Sequence, residues 1–139
     1  MTDSYNLERF VAAQEQVYPR VLSELQAGRK QSHWMWFVFP QIEGLGHSAM
    51  AQRYAIGSLA EAVAYLAHPV LGPRLRECTR LVNAVAGNNI TAVLGQPDDM
   101  KFRSSMTLFA RATADNAEFV AALKKYFGGE EDPATAARL

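Results

Sequence analysis

The sequence predicts an all-α protein: a single compact domain over residues 1–139, built from six to seven short helices. Three observations carry this. Apolar residues recur at three- and four-residue intervals along nearly the whole chain, the spacing of one buried helix face. Cap residues, prolines and glycines punctuate that pattern at the distances expected of helix ends. Only one stretch, WMWFVF at residues 34–39, has strand-like composition, and a lone strand cannot make a sheet. At 49% hydrophobic and 20% charged residues, the chain has the composition of a protein with its own core.

Leu7, Phe10, Val11 and Gln14 start the first helix, with Asp3 or Ser4 available as a cap. Pro19 is tolerated only where a new helix begins, which then carries Val21, Leu22 and Leu25 inward and ends at Gly28. Residues 32–39 read as an aromatic helix capped by Ser32 and stopped by Pro40. Trp34, Phe37 and Val38 share one face, and His33 and Trp36 a neighbouring one. Gly44 and Gly46 make a bend, and Ser48 caps a helix bearing Met50 and Tyr54. Ser58 and Glu61 have the spacing of a capping box, opening a helix through Ala62, Val63 and Leu66 that stops before Pro69. Leu71, Leu75, Cys78, Val82 and Val85 mark the next helix, with Gly87 as its stop. Asp98 can cap a helix burying Phe102, Met106, Phe109 and Ala110. Asp115 and Glu118 suggest another capping box before Phe119, Val120, Leu123 and Phe127, ending at Gly128-Gly129. Asp132-Pro133 predicts a small closing helix.

Several function classes lose support at once. Fourteen basic residues balance fourteen acidic ones, so no long-range field draws nucleic acid or anionic membrane. The arginines at 74, 76 and 80 read as a solvated face opposite a leucine stripe. No apolar run approaches the length of a membrane span, and MTDSYNLERF lacks the apolar segment of a signal peptide. One cysteine excludes an internal disulfide, which fits a cytoplasmic location, and Cys78 itself falls in the apolar register of its helix. His33, His47 and His68 show no metal-ligand spacing, so no metal and no cofactor is expected.

The segment KQSHWMWFVFPQIEGLGHS holds the strongest functional signal. Gly44-Leu45-Gly46-His47-Ser48-Ala49 matches G-x-G-x-x-A, the pattern that lays a pyrophosphate on a helix N-terminus. The context fails. Four residues separate the apolar run from the first glycine, no acidic residue follows about twenty positions on, and no second strand exists to pair. What remains is a glycine bend before a helix, which either presents N–H groups to an anion or only lets two helices cross closely. His33 is either a packed, hydrogen-bonded ring or a group that orients a ligand or moves a proton beside stacking aromatics. Further along, Lys101, Ser104 and Ser105 share a helix side, suited to holding a phosphate or carboxylate or to close helix packing.

HWMWFVFPQIEGLGHS, YAIGSLAEAVAYLAHPVLGPRL, DDMKFRSSMTLF and the closing GGEEDPATAARL together resemble a bacterial family of small proteins known only as a domain of unknown function. The resemblance runs from about Leu7 to Leu139 and implies an all-helical single domain with no established activity. The recurrent positions of the family correspond here to His33, Trp34, Trp36, Pro40, Gln41, Gly44, Gly46, Ser48, Lys101, Ser104, Ser105 and Thr107. Members are sometimes labelled calpastatin, a disordered inhibitor, whereas this composition is that of an autonomously folding chain. The reading carried forward is a site for an anionic, nucleotide-like small molecule. Its candidates are His33 for proton transfer and Trp36, Gln41, Gly44, Gly46, Ser48, Lys101, Ser104 and Ser105 for binding. The rivals are a protein-interaction module and a weak nucleic-acid binder. The oligomeric state is not legible in the sequence.

Overall fold

The computed structural model describes residues 3–139. Its regular structure is helical throughout, and among the described residues there are ten helices instead of six or seven. They are α1 (Glu8–Glu15), α2 (Tyr18–Gln26), α3 (Met35–Val38), α4 (Ala49–Arg53), α5 (Leu59–Ala67), α6 (Leu71–Ala84), α7 (Ile90–Leu94), α8 (Asp98–Ala112), α9 (Ala117–Phe127) and α10 (Pro133–Ala136). The excess lies in the one-turn pieces α3, α4, α7 and α10, of which only α7 has no counterpart in the sequence pattern. Helix α7, opened by the Asn89 side chain accepting from Ala92 N–H, spans five residues and is too short to show a period. The aromatic segment contracts to the single turn α3, with Trp34 at its start. Ser32 does not cap it.

Helix α8 lies at the centre, packed by α5, α7, α9 and α10. Every residue from Ser104 to Phe109 is buried, so this helix is enclosed on all sides and its small hydroxyl residues face neighbouring helices. Phe102 meets Phe39 edge-on with ring centroids 5.0 Å apart, and Phe109 packs against Tyr65 and Phe119. Phe10 of α1 reaches the same core through Tyr65. Helices α5 and α6 come so close that a Cβ at Gly72 would lie 2.1 Å from the Leu66 carbonyl oxygen. Only glycine fits that crossing.

Several expected caps form. Asp3 accepts from the Leu7 and Glu8 N–H groups, Ser48 from Ala51, Ser58 from Glu61, and Asp132 from Thr135. Three expectations are corrected. Asp98 is the first residue of α8 and caps nothing, since Pro97 occupies the cap position. No capping box forms at Asp115 and Glu118, because Glu118 turns instead to Arg76 (2.9 Å) and Arg80 (3.1 Å) of α6. The C-terminal end of α6 relies on α9 before the chain reaches Gly87: Lys125 donates to the Asn83 and Val85 carbonyls and Tyr126 to that of Val82.

The segment between α2 and α5 is mostly irregular, and two charged side chains pair its backbone. Glu24 accepts from the Gln31 and Ser32 N–H groups, the Ser32 hydroxyl and the Trp34 indole, at 2.6–3.0 Å. Burial alone pushes this carboxyl up; the Ser32 hydroxyl and the other donors outweigh that and hold it down to about 2. At the other end, Arg9 directs all five of its donors to the carbonyls of Tyr5, Asn6, Arg53 and Ala55 and to the Glu61 carboxylate. Glu61 also accepts from Gly57 N–H. Between these anchors, residues 41–43 and 56 form one isolated parallel bridge, Ile42 to Ile56.

Three measurements test this framework. Arg9→Met removes five side-chain hydrogen bonds and should cost about 3 kcal/mol, about 10 °C in Tm, in thermal denaturation followed by circular dichroism. Glu24 titrates below its ordinary value of 4.5, so its stabilisation is full above that pH and is lost as pH falls toward about 2. Glu24→Gln should therefore lose about 2 kcal/mol at pH 7 in urea unfolding, a deficit that shrinks across that acid window; a pH-independent deficit would contradict the assignment. Ser105 is fully buried with no hydrogen-bond partner for its hydroxyl. Ser105→Ala should leave stability unchanged or raise it by about 1 kcal/mol.

Candidate functional site

The aromatic segment divides its rings between two jobs. Trp34, Phe37 and Phe39 are buried in the core, together with Met35 and Val38. Trp36 alone stays half-buried at the surface. A helical turn forces this split: with the flanking residues committed inward, the side chain between them points away from the core.

Trp36 lines a cleft of about 360 Å³ together with Lys30, His33, Met35, Leu94, Gln96, Pro97, Asp98 and Lys101. Three elements supply its charged and aromatic groups. The 28–34 segment, pinned by Glu24 and by Lys30 N–H donating to the Val93 carbonyl, supplies Lys30 and the exposed His33. Helix α3 supplies Trp36. The first turn of α8 supplies Asp98 and Lys101. Lys30 Nζ lies 2.9 Å from Asp98 Oδ2 and 5.2 Å from the centre of the Trp34 ring. Lys101 Nζ lies 3.5 Å from Asp98 Oδ1 and 5.5 Å from the centre of the Trp36 ring. Two ammonium groups thus share one carboxylate, each held against an aromatic face. The Lys30 side chain is only 7% exposed, an unusual depth for a lysine, and its pairing with Asp98 accounts for it.

The sequence-predicted residues part company here. His33, Trp36 and Lys101 meet around this cleft. Gln41, Gly44 and Gly46 line a separate cavity with Trp36, Ile42 and Tyr54, of only about 10 Å³, room for a single water at most. Gly44, at φ +94°, has the Arg138 guanidinium close over it, and its carbonyl accepts from Arg138 at 3.4 Å. Gly46 approaches Ala51 so closely that a Cβ would come within 2.6 Å of the Ala51 side chain. At this bend the missing side chains make room for the Arg138 guanidinium and for Ala51 of the helix that follows. Ser48 lines neither space; its hydroxyl caps α4. Ser104 and Ser105 lie inside the helical packing: the Ser104 hydroxyl is within hydrogen-bond distance of the Met100 carbonyl and the Asp132 carboxylate, which also accepts from Thr135. They do not join Lys101 in the cleft: Ser104 faces Asp132 at the start of α10, and Ser105 is fully buried.

Asp98 and the depth of Lys30 are the features that sequence reasoning missed. Lys101 stands three residues from Asp98, a spacing that signals the helical pair. The Lys30 partner is 68 positions away, and no local pattern announces it. His47 and Arg138 face a wider groove with Glu43 and Gln52, away from His33. His68 is structural: its Nδ1 accepts from the Val70 and Leu71 N–H groups at the start of α6. The Cys78 thiol, buried in the core, is pushed up to about 12 by that burial and is inert as a nucleophile at neutral pH. Among the described residues no cluster of His, Cys, Asp and Glu has the makings of a metal site, and no helix is long and apolar enough to cross a membrane.

Comparison with known proteins agrees with this all-helical architecture. The chain is similar to the conserved hypothetical protein Rv1873 from Mycobacterium tuberculosis, whose crystal structure superposes with a TM-score of 0.97 at 61% identity, covering 99% of this chain and 98% of that one. A search of the curated proteins returned no match. Residues 4–139 match the family described as protein of unknown function, DUF1810, and the chain belongs to that family.

Proposed function

We propose that this protein binds a small anionic molecule bearing a planar group, in the cleft between the 28–34 segment, α3 and the start of α8. The observation that carries the reading is the convergence of Lys30 and Lys101 beside the half-buried Trp36 ring. The planar part of the ligand stacks on Trp36, the lysines attract its anionic group, and His33 at the rim orients it or exchanges a proton with it. The cleft volume falls within the range of small-molecule sites, and its lining sets the Trp36 ring, Met35 and Leu94 beside the charged groups of Lys30, Asp98 and Lys101. Of the nine residues expected at the site from sequence, this reading keeps His33, Trp36 and Lys101. It adds Lys30 and Asp98, and releases Gln41, Gly44, Gly46, Ser48, Ser104 and Ser105 to structural roles. A nucleotide-like ligand is one member of this class.

The nucleic-acid reading has less support, because Arg76 and Arg80 are paired with Glu118 and Arg74 lies 3.6 Å from Glu15. The interaction-module reading rests on Leu59 and Val63, exposed four residues apart on α5, with small alanines around them. The single buried cysteine suits a reducing compartment.

The protein contains two tryptophans, and Trp34 is buried, so changes in fluorescence on titration report chiefly on Trp36. Titration with aromatic acids and nucleoside monophosphates should give saturable quenching for at least one of them. Trp36→Phe should abolish the signal, and Lys101→Ala should weaken binding at least tenfold. Flat titrations across both ligand classes, in a protein whose circular dichroism is native, would overturn the reading.

A further inference from the structure

Asp98 has a consequence for the charge of the ligand, an inference that rests on the binding reading just given. Its two carboxylate oxygens are each engaged by a different lysine, Oδ2 by Lys30 at 2.9 Å and Oδ1 by Lys101 at 3.5 Å. The carboxylate thus sits between the ammonium groups, in the place an incoming anion would seek. All three side chains are largely withdrawn from water, at 7, 24 and 17% exposure for Lys30, Lys101 and Asp98, so their charges are weakly screened. No other ionisable side chain except His33 lines the cleft.

We propose that Asp98 is a specificity-determining residue that restricts the cleft to singly charged anions, favouring a carboxylate over a phosphate dianion. The arithmetic of charge supports this. Two lysines and one aspartate leave one net positive charge. A monoanion brings the cleft to neutrality, with each lysine donating to two acceptors from its three N–H bonds. A dianion leaves an excess negative charge in a partly desolvated site and sets its oxygens against those of Asp98; its attraction to one net positive charge only doubles, while its desolvation cost rises about fourfold, with the square of the charge. The aspartate also holds both ammonium groups in place before the ligand arrives, which lowers the ordering cost of binding. Removing its charge while keeping its shape should reverse the preference.

The test uses matched aromatic probes at pH 8 and fixed ionic strength: benzoate, benzenesulfonate and phenyl phosphate, the last a dianion there. Binding to the wild-type protein and to Asp98→Asn is followed by Trp36 fluorescence and calorimetry. The wild type should bind benzoate and benzenesulfonate at least tenfold more tightly than phenyl phosphate. In Asp98→Asn the ratio of phenyl phosphate to benzoate affinity should rise at least tenfold. Benzenesulfonate has the tetrahedral shape of the phosphate with a single charge, so the wild-type comparison stands even if the variant folds poorly. If benzenesulfonate binds as weakly as phenyl phosphate, shape and not charge is selected and the proposal fails. If the probes bind but Asp98→Asn leaves their ratio unchanged, the role of Asp98 is overturned while the cleft reading survives. If none of the three binds at millimolar concentration but nucleoside monophosphates do, the preference for monoanions is wrong. If nothing binds either protein, both readings fall together.

Discussion

Thirty residues of largely irregular backbone, from Gly28 to Gly57, lie against a helical core that offers them no sheet to join. Buried peptide groups must be paired, or each costs the fold about a kilocalorie per mole or more. That constraint governs the rest of the structure. Glu24 answers it at one end by accepting from the Gln31 and Ser32 N–H groups, and Arg9 at the other by donating to the Arg53 and Ala55 carbonyls. Both are held in place by regular helices, α2 and α1, so the order of the irregular segment derives from its neighbours. The single Ile42–Ile56 bridge and the buried Gln14, which donates to the Phe37 carbonyl, complete the pairing between them.

The cleft follows from this arrangement. Because Trp34 is tied to Glu24 through its indole N–H and sunk in the core, Trp36 is left at the surface two residues on. Because Lys30 is fixed by its backbone to α7, its ammonium reaches the first turn of α8 instead of solvent. Asp98 at that turn also complements the positive end of the α8 dipole, so its charge is favoured twice. The protein as a whole carries no net charge, and the positive character of the cleft is a local product of side chains brought together from positions 30 and 101.

Helix α8 shows how far a local motif can be read. Its buried stripe, Phe102, Met106 and Phe109, is visible from spacing alone. The grouping of Lys101 with Ser104 and Ser105 is equally visible on a helical wheel, yet the three do different things. A wheel assumes one wet side, and α8 has none along its middle: the segment leading into α10, anchored by Asp132 and by the Arg103 and Arg111 contacts to residues 130 and 131, covers Ser104, and Ser105 is fully buried. The glycine bend misleads for a related reason. Gly44 and Gly46 match a phosphate loop only in spacing; in the fold their missing side chains make room for Arg138 and Ala51.

What can be read from residue order alone is short-range physics: the helical class, the caps at Asp3, Ser48, Ser58 and Asp132, the inward faces of the long helices, and the split of one aromatic run into core and rim. These depend on neighbours within one or two turns, where residue spacing and position in space are the same information. Which polar groups meet is settled by packing in three dimensions. Lys30 with Asp98, Arg9 with Glu61, Glu118 with Arg76 and Arg138 with Gly44 join residues 42 to 94 positions apart. Such pairs leave no periodic trace, because what selects them is the shape of the packed core and the need of each charge drawn into it for a partner.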